Sequence, residues 1–448
     1  MTPVRRELLT ISALAWPVVL TRLATLMLGL VDTLMVGRLG VAEMEAVGLA
    51  DVCIFGSLIL AFGVVQGIDP IVSQAKGAGD RRRMGLALQR GIVIALLLVP
   101  VLSLFWYETG AILRALGQTE ANGALANVYA RTQIFSIAPV LVFVAMQQYL
   151  LGRGLMKTPL VVAIAANFAN VAFNEVLIFG RLGFPAMGVE GAAIATGLTR
   201  VFSLIALVIA IRAGRLLRGG WTGWSRDALK LEGLAQVLVI GIPIGLAFGL
   251  EVWAFQTSTL LAGRLPSPNA AAHIIVLRMA SLAFMVPLGI SVATSTRVGN
   301  LIGKRDYPEA QLAAWVALGL GGAIMAFSTL AFVFGSELWP RMFTRDPEAI
   351  ALAAAVFPVA AAFQFFDGAQ AVGAGVLRGM GHTQPTVVFN LLGFWALGIP
   401  LGWLLGIQLG YGLAGIWWGL AAGLLVVAAL FVGWIQLRGP ARLGLESS

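Results

Sequence analysis

Three carboxylates interrupt stretches of sequence that are otherwise apolar. Asp367 lies in AAFQFFDGAQAVGAG, Glu251 in GLEVWAFQ and Asp32 in GLVDTLMVG. An ionised side chain at the centre of a bilayer costs about 2.5–3.5 kcal/mol on insertion scales, and intramembrane acids therefore usually mark ion or proton pathways. Because burial favours the neutral acid and a nearby cation favours the charged form, such a group can bind a proton, Na⁺ or an organic cation in turn. We predict that all three acids couple to a cation, with Glu251 and Asp367 as candidate Na⁺ ligands.

Polar and aromatic side chains lie near the two acids of the second half. Several of them fall within about one helical turn of Asp367 or Glu251, so they share a face with the carboxylates. Aromatic ring faces attract organic cations. The residues that we predict to line a substrate cleft in this half are Phe255, Phe284, Phe363, Gln364 and Gln370.

In the first half, asparagines are spaced three and four residues apart on one helical face, at positions 167, 170 and 174. Such side chains can join helices or line a polar cleft, and we expect Asn170 and Asn174 to belong to the cleft. Arginines within apolar segments either extend to the interface or pair with acids; they are Arg22, Arg200 and Arg278.

The composition indicates an integral membrane protein. Of the 448 residues, 59% are hydrophobic and 11% are charged, and mean hydropathy is +0.90; soluble domains have about 25% charged residues. The net charge of +9 is better explained by membrane orientation than by nucleic acid. One cysteine and two histidines form no visible metal-ligand cluster. Because no phosphate-binding loop is visible either, we expect neither a cofactor nor ATP hydrolysis.

Twelve apolar segments are long enough to cross a bilayer as helices. The connection at 212–236 separates six segments from six, which predicts an N-terminal lobe at 1–211 and a C-terminal lobe at 237–448. Lysine and arginine lie mostly on the side of the two termini, which should be cytoplasmic. The predicted segments are about 12–36, 47–72, 88–107, 127–150, 160–180, 188–211, 237–262, 272–297, 311–335, 351–376, 386–407 and 412–436.

The two halves resemble each other in sequence. WPVVLTRLATLMLGLVDTLMVGRLG aligns without gaps to IPIGLAFGLEVWAFQTSTLLAGRLP, which pairs Pro17 with Pro243. Because each half has an even number of segments, both enter the membrane in the same orientation. The repeats should therefore be parallel and related by an axis along the membrane normal, as in transporters with a central cleft.

Several motifs together resemble the multidrug and toxic compound extrusion (MATE) transporters. They are VDTLMVGRLG, GIDPIVSQAKGAGDRRR, GIPIGLAFGLE and FQFFDGAQAVGAGVLRGMG, and the likeness covers nearly the whole chain. The pair Glu251 and Asp367 resembles the NorM-type branch, in which the matching acids are implicated in cation binding. Asp32, Asn170 and Asn174 match polar positions of the first half of the family.

The resemblance implies a fold and a function. The fold would be all-α, with twelve transmembrane helices in two six-helix bundles and a V-shaped, alternating-access architecture. The function would be Na⁺- or H⁺-coupled export of amphipathic, often cationic compounds across the bacterial inner membrane, by a monomer. One alternative is a flippase for lipid-linked sugars, which should have many basic groups in its cleft. Another is an intramembrane enzyme, which needs a nucleophile–base pair or a metal cluster, and neither is visible.

Overall fold

Helices form the regular secondary structure of the part of the chain that the computed structural model describes, residues 2–221 and 223–446. Within it, twelve helices are long and apolar enough to cross a membrane, which confirms the predicted all-α, twelve-segment class. Numbered α1 to α12 in chain order, they are Pro3–Val36, Ala42–Ala78, Arg81–Tyr107, Glu120–Gly152, Lys157–Phe179, Gly188–Ala213, Leu231–Ala262, Ser267–Gly303, Tyr307–Phe334, Pro347–Met380, Gln384–Gln408 and Gly412–Leu445.

Most of the helices extend beyond the predicted apolar segments. The carboxylate of Asp80 accepts a hydrogen bond from the backbone N–H of Arg83 at the start of α3 (2.9 Å). Asp346 caps α10 in the same way through the N–H of Glu348 (3.1 Å). Such caps satisfy backbone donors that have no partner within the helix. Hydropathy detects the apolar part of a helix, whereas capped backbone hydrogen bonding continues through its polar ends.

Some of the long helices contain irregular turns. Gly67 separates two α-helical parts of α2, and a 3₁₀ turn lies within α4 at Ile134–Ser136. α11 contains two π-helical stretches, Leu391–Gly398 and Leu404–Gln408. Because π-helical turns occur frequently at functional sites, the residues that contact α11 are candidates for a functional site.

The chain divides into two compact units. The first, here called the N-unit, is Leu20–Gly245, and the second, the C-unit, is Leu246 onward together with the residues up to Val19. These boundaries lie within α1 and α7. The lobes predicted at 1–211 and 237–448 remain a prediction. Each unit has a core with large, fully buried side chains. They are Trp106 and Tyr149 in the N-unit, and Phe357, Phe394 and Trp417 in the C-unit.

Glycines allow α11 and α12 of the C-unit to pack backbone against backbone. A Cβ atom added at Gly419 would lie 2.3 Å from the backbone nitrogen of Gly402, and one at Gly423 would lie 2.5 Å from the carbonyl oxygen of Gly393. Small residues permit this approach between membrane helices. Gly415, Gly419 and Gly423 are spaced four residues apart on α12, and at each of them an added Cβ would lie within 2.6 Å of the backbone of α11.

We expect Gly419→Ala to lower the thermal stability of the purified protein. Alanine normally favours a helix over glycine by about 1 kcal/mol, but the new methyl group would collide with the backbone of α11, and overpacking costs typically about 1–3 kcal/mol. The control is Gly433→Ala on the same helix, where nothing lies within 4 Å of the added Cβ. Thermal unfolding in detergent should separate the two variants, and equal unfolding midpoints would contradict the packing.

The connection between α6 and α7 is held against other parts of the N-unit. Arg153 donates to the carbonyl oxygens of Leu216 and Arg218. Asp227 forms ion pairs with Arg82 (2.6 Å) and Lys230 (2.7 Å). Hydrogen bonds from Lys230 and Arg82 lower the pKa of Asp227 to about 2. Side chains of the N-unit therefore anchor this connection at both of its described parts.

Candidate functional site

The C-unit places Glu251 of α7 near Asp367 of α10. Gln370 lies one helical turn after Asp367, and its Nε2 donates to Oε2 of Glu251 over 3.1 Å. Asp367 is 4% exposed and Glu251 is half-buried. The two carboxyl groups are close enough to interact electrostatically. Two predicted cation-coupling residues therefore share one region of the C-unit.

The surroundings of Asp367 contain like charge and unpaired oxygen atoms. Among the described residues, Asp367 has neither a hydrogen bond nor an ion pair, and it interacts electrostatically with the acid Glu251. Two close carboxyl groups cannot both stay ionised in a low-dielectric region without a cation, and Arg378, which interacts electrostatically with Glu251, can balance only one of them. Oε1 of Gln364 and Oε1 of Gln370 are buried without a hydrogen-bond partner. Carboxylate and amide oxygens are the ligands that hard cations prefer. The oxygen atoms of these four side chains therefore fit a proton or Na⁺.

α8 holds α10 in place on both sides of Asp367. Gln364 donates through Nε2 to the carbonyl of Ala280 on α8 (3.2 Å). Ser291 of α8 donates through its hydroxyl to the carbonyl of Ala371 (2.6 Å). Farther along α10, a Cβ added at Gly375 would lie 2.3 Å from the Ser291 carbonyl oxygen. Tight packing against α8 therefore orients the face of α10 that includes the acid.

The predicted aromatic residues occupy different environments. Phe255 contacts Phe363 edge to face, with ring centroids 5.8 Å apart, and also lies 6.0 Å from the ring of Phe394. Phe363 is 2% exposed and packs on Trp417 at 5.8 Å, so its ring lies within the core. Phe255 and Phe284 are half-buried, and among the described residues no ring contact joins Phe284 to this cluster. In this conformation Phe255 is more exposed than the rings of Phe363, Phe394 and Trp417.

Two residues that sequence reasoning did not select link α11 to α7 next to Glu251. Asn390 donates to the carbonyl of Ala247 (3.0 Å), and Nε1 of Trp395 donates to the carbonyl of Leu250 (3.0 Å). Trp395 belongs to the π-helical stretch Leu391–Gly398. The only signal in the sequence was the isolated amide of Asn390 in an apolar segment. These contacts position the turn of α7 that presents Glu251.

The N-unit surrounds Asp32 with hydrogen-bond donors. Oδ1 of Asp32 accepts from Asn174 (2.7 Å) and from Asn170 (2.9 Å), and Oδ2 accepts from the hydroxyl of Thr196 (3.1 Å). Both asparagines are fully buried, and Asn174 also donates to Oδ1 of Asn170 (3.2 Å). α1, α5 and α6 therefore meet at this carboxylate, so the structure brings together the predicted Asp32, Asn170 and Asn174.

Other polar residues of the N-unit have separate roles. Asn167 donates to the carbonyls of Ala24 and Ala163, both at 2.9 Å, and so joins α5 to α1. Thr196 was not selected from the sequence. Its signal was a repeated threonine on α6, because Thr199 follows three residues later and lies 3.4 Å from Nδ2 of Asn170. Threonine is common in membrane helices, so this spacing alone did not indicate a contact with an acid.

Comparisons with known proteins match both halves of the chain to one family model. The MatE family model matches residues 17–176 and again residues 243–404. The two matches begin at the prolines paired in the repeat alignment. A protein of Mesorhizobium japonicum, named probable multidrug resistance protein NorM, is 34% identical over 96% of this chain and 93% of its own length. A protein of Bradyrhizobium diazoefficiens with the same name is 35% identical over 94% of this chain and 91% of its own.

Solved structures share the fold. The crystal structure of AtDTX14, a eukaryotic MATE transporter, superposes with a TM-score of 0.91 at 23% identity, covering 100% of this chain and 99% of the other. A multidrug resistance MATE family transporter in an outward-facing conformation gives a TM-score of 0.89 at 20% identity, covering 99% and 97% of the two chains. The family match in both halves and the nearly full-length NorM relatives show that the chain belongs to the MatE family, the MATE transporters.

Proposed function

We propose that this protein exports amphipathic, often cationic compounds in exchange for Na⁺ or H⁺. The observation that supports the proposal most directly is the pair of carboxyl groups of Glu251 and Asp367 beside two unpaired amide oxygens. The two carboxyl groups can carry two negative charges, and Arg378, which interacts electrostatically with Glu251, can balance only one of them. A proton, Na⁺ or a cationic compound can balance the other.

Competition between these cations would couple their movements. When the driving cation neutralises Asp367, the site no longer attracts a cationic compound electrostatically. A bound cationic compound in turn weakens binding of the driving cation. An inward-moving cation gains about 2.3 kcal/mol per charge for each 100 mV of membrane potential. That gain can support a concentration gradient of the exported compound.

The remaining parts of the proposal rest on the family and on the distribution of basic residues. Relatives of this chain are named probable multidrug resistance proteins, which supports export of several compounds. We propose that the export proceeds by alternating access. We place the protein in the bacterial inner membrane as a monomer with both termini cytoplasmic. Met1, Ser447 and Ser448, on which the assignment of the termini falls, lie outside the described residues.

The direct test is transport by purified protein in proteoliposomes with separately imposed Na⁺ and H⁺ gradients. The probe is ethidium, a cationic aromatic dye. We expect dye movement opposite to at least one of the two cation gradients, and strongly reduced movement for Glu251→Gln. Dye movement that ignores both gradients would overturn cation coupling, and its absence for several cationic dyes under either gradient would overturn export of cations.

We also expect the connection after α6 to face the cytoplasm, because the basic residues cluster on that side. In a Cys53→Ala background, Ala213→Cys should resist an impermeant thiol reagent in intact cells. The matched control is Ala186→Cys, which is also exposed and lies between α5 and α6, on the opposite side. It should react readily. The reverse pattern of labelling would contradict the orientation.

A further inference from the structure

A histidine of α8, His273, is completely buried in the C-unit. Its Nε2 lies 3.0 Å from the hydroxyl oxygen of Thr259 on α7, and that hydroxyl donates to the carbonyl of Phe255 (3.0 Å). A hydroxyl has one hydrogen to donate. In the neutral imidazole, Nε2 therefore carries the hydrogen and donates it to Thr259, which leaves the lone pair on Nδ1.

A series of ring contacts begins at His273 and includes residues of α12, α10 and α7. The imidazole packs on Trp417 of α12, with ring centroids 5.8 Å apart. Trp417 packs edge to face on Phe363 of α10, also at 5.8 Å. Phe363 contacts Phe255 of α7 at the same distance of 5.8 Å. Because protein interiors are close-packed, displacement of one ring in this series displaces its neighbours.

The series ends beside the acid pair. Phe363 lies one helical turn before Asp367 on α10, and Phe255 lies one turn after Glu251 on α7. Side chains four residues apart on a helix are neighbours on one face. The packing at the start of the series therefore affects the two rings that adjoin the acids.

Two buried nitrogen atoms at the contact between His273 and Trp417 have no hydrogen-bond partner among the described residues. They are Nδ1 of the imidazole and Nε1 of the indole. A protonated imidazole has an N–H at both nitrogens, so protonation would place a donor at Nδ1 that finds no acceptor here. A buried polar group without a partner is costly, and a buried charge without one is far more costly. Protonation of His273 and this packing therefore oppose each other.

No acid of the described structure balances a charge on His273. Neither Glu251 of α7 nor Asp367 of α10 interacts with it electrostatically. Arg278, on α8 itself, is exposed. The titratable groups in or next to the connections from α7 to α8, α9 to α10 and α11 to α12 are also exposed, and they are Arg264, Glu337, Arg341, Arg345, Asp346, Glu348 and Tyr411.

We propose that His273 is a proton-sensitive positioning residue of the C-unit. Neutral His273 holds Trp417, Phe363 and Phe255 in the packing described above, and protonated His273 releases them. Histidine suits this role because its charge changes closest to neutral pH. Acid would then loosen the rings beside the acid pair through a residue other than the acids. The proposal concerns the packing of the helices, so it holds for whichever cation and compound the protein moves.

The test is hydrogen–deuterium exchange of the full-length protein in lipid nanodiscs, at pH values from about 5 to 8, the range in which histidine titrates. Exchange rates are corrected for the intrinsic effect of pH on amide exchange. In the wild type, acid should speed exchange at residues 255–262 of α7 and 413–420 of α12, by up to about tenfold for each pH unit, the limit for one proton. In His273→Gln, which can still bond to Thr259 but takes up no proton, the corrected rates should not depend on pH.

The matched control is His382→Gln, because His382 is the other histidine of the chain and is exposed. This variant should respond to acid as the wild type does. If His273→Gln does not fold, His273→Phe replaces it, since phenylalanine keeps a ring in the core and takes up no proton. Corrected rates that ignore pH in the wild type would overturn the proposal. An acid response that persists in the folded variant of His273 would overturn it too, because another group would then be the sensor.

Discussion

Asp367→Asn should remove the mutual weakening of binding between the driving cation and a cationic substrate. In the wild type, each ligand should lower the affinity for the other by the same factor, because coupling between two binding equilibria is reciprocal. Couplings of this kind are typically about 5–150-fold. Asparagine keeps the shape of the side chain but cannot exchange a proton or balance a cation. Substrate affinity in the variant should therefore become nearly independent of Na⁺ and pH.

The variant should still fold and insert. Removing an intramembrane charge lowers the cost of insertion, and in the described structure Asp367 has no hydrogen bond that the substitution would break. A matched control is Asp346→Asn at the start of the same helix. Asp346 is exposed, and its side chain caps α10 by accepting a hydrogen bond from the backbone N–H of Glu348. Asparagine is an equally good cap. This control should retain the full linkage.

Glu251→Gln should also reduce the linkage, because Glu251 and Asp367 interact electrostatically. The double variant should then lose little more of the linkage than the more severe single variant, since substitutions that affect one site do not have additive effects. Ethidium affinity with and without Na⁺, and across pH, should be measured for the wild type, both single variants and the double variant. A full linkage in Asp367→Asn would show that its charge has another purpose.

Much of the fold follows from the sequence because the bilayer restricts the choice of structure. A segment in lipid must satisfy its backbone hydrogen bonds internally, so apolar length alone was sufficient to locate α1 to α12. The same argument could not locate the π-helical stretches of α11, since they depend on how that helix packs against its neighbours. Nor could it give the helix ends, because capped turns such as the one at Asp80 continue into polar sequence.

The acids were easier to select than the residues around them. Asp32, Glu251 and Asp367 are conspicuous because charge is rare in apolar segments, and the asparagines because of their spacing. Thr196, Asn390 and Trp395 were missed, since single threonine, asparagine and tryptophan residues also occur in membrane helices without a functional role, and only tertiary packing brings these three to their partners. The burial of Phe363 was likewise not visible, because helical spacing assigns a face but does not say which neighbour covers it.

The second large effect is expected at Asp32, where the choice of substitution separates charge from structure. In Asp32→Asn, the remaining oxygen can accept from both Asn170 and Asn174, and the new amide group can donate to the hydroxyl of Thr196. The hydrogen bonds seen around Oδ1 and Oδ2 are then replaced in number, although the charge is lost. We expect a folded protein whose cation-driven ethidium export is severely reduced.

Asp32→Ala should behave differently, because it leaves the buried donors of Asn170 and Asn174 without their acceptor. A buried polar group that loses its partner costs about 1–3 kcal/mol, so this variant should unfold at a lower temperature than Asp32→Asn. The control is Asp80→Asn, which changes an exposed helix cap of the N-unit and should alter neither property. Transport and thermal unfolding are measured on the same preparations. Normal cation-driven export by a well-folded Asp32→Asn would show that this carboxylate joins α1, α5 and α6 and has no part in coupling.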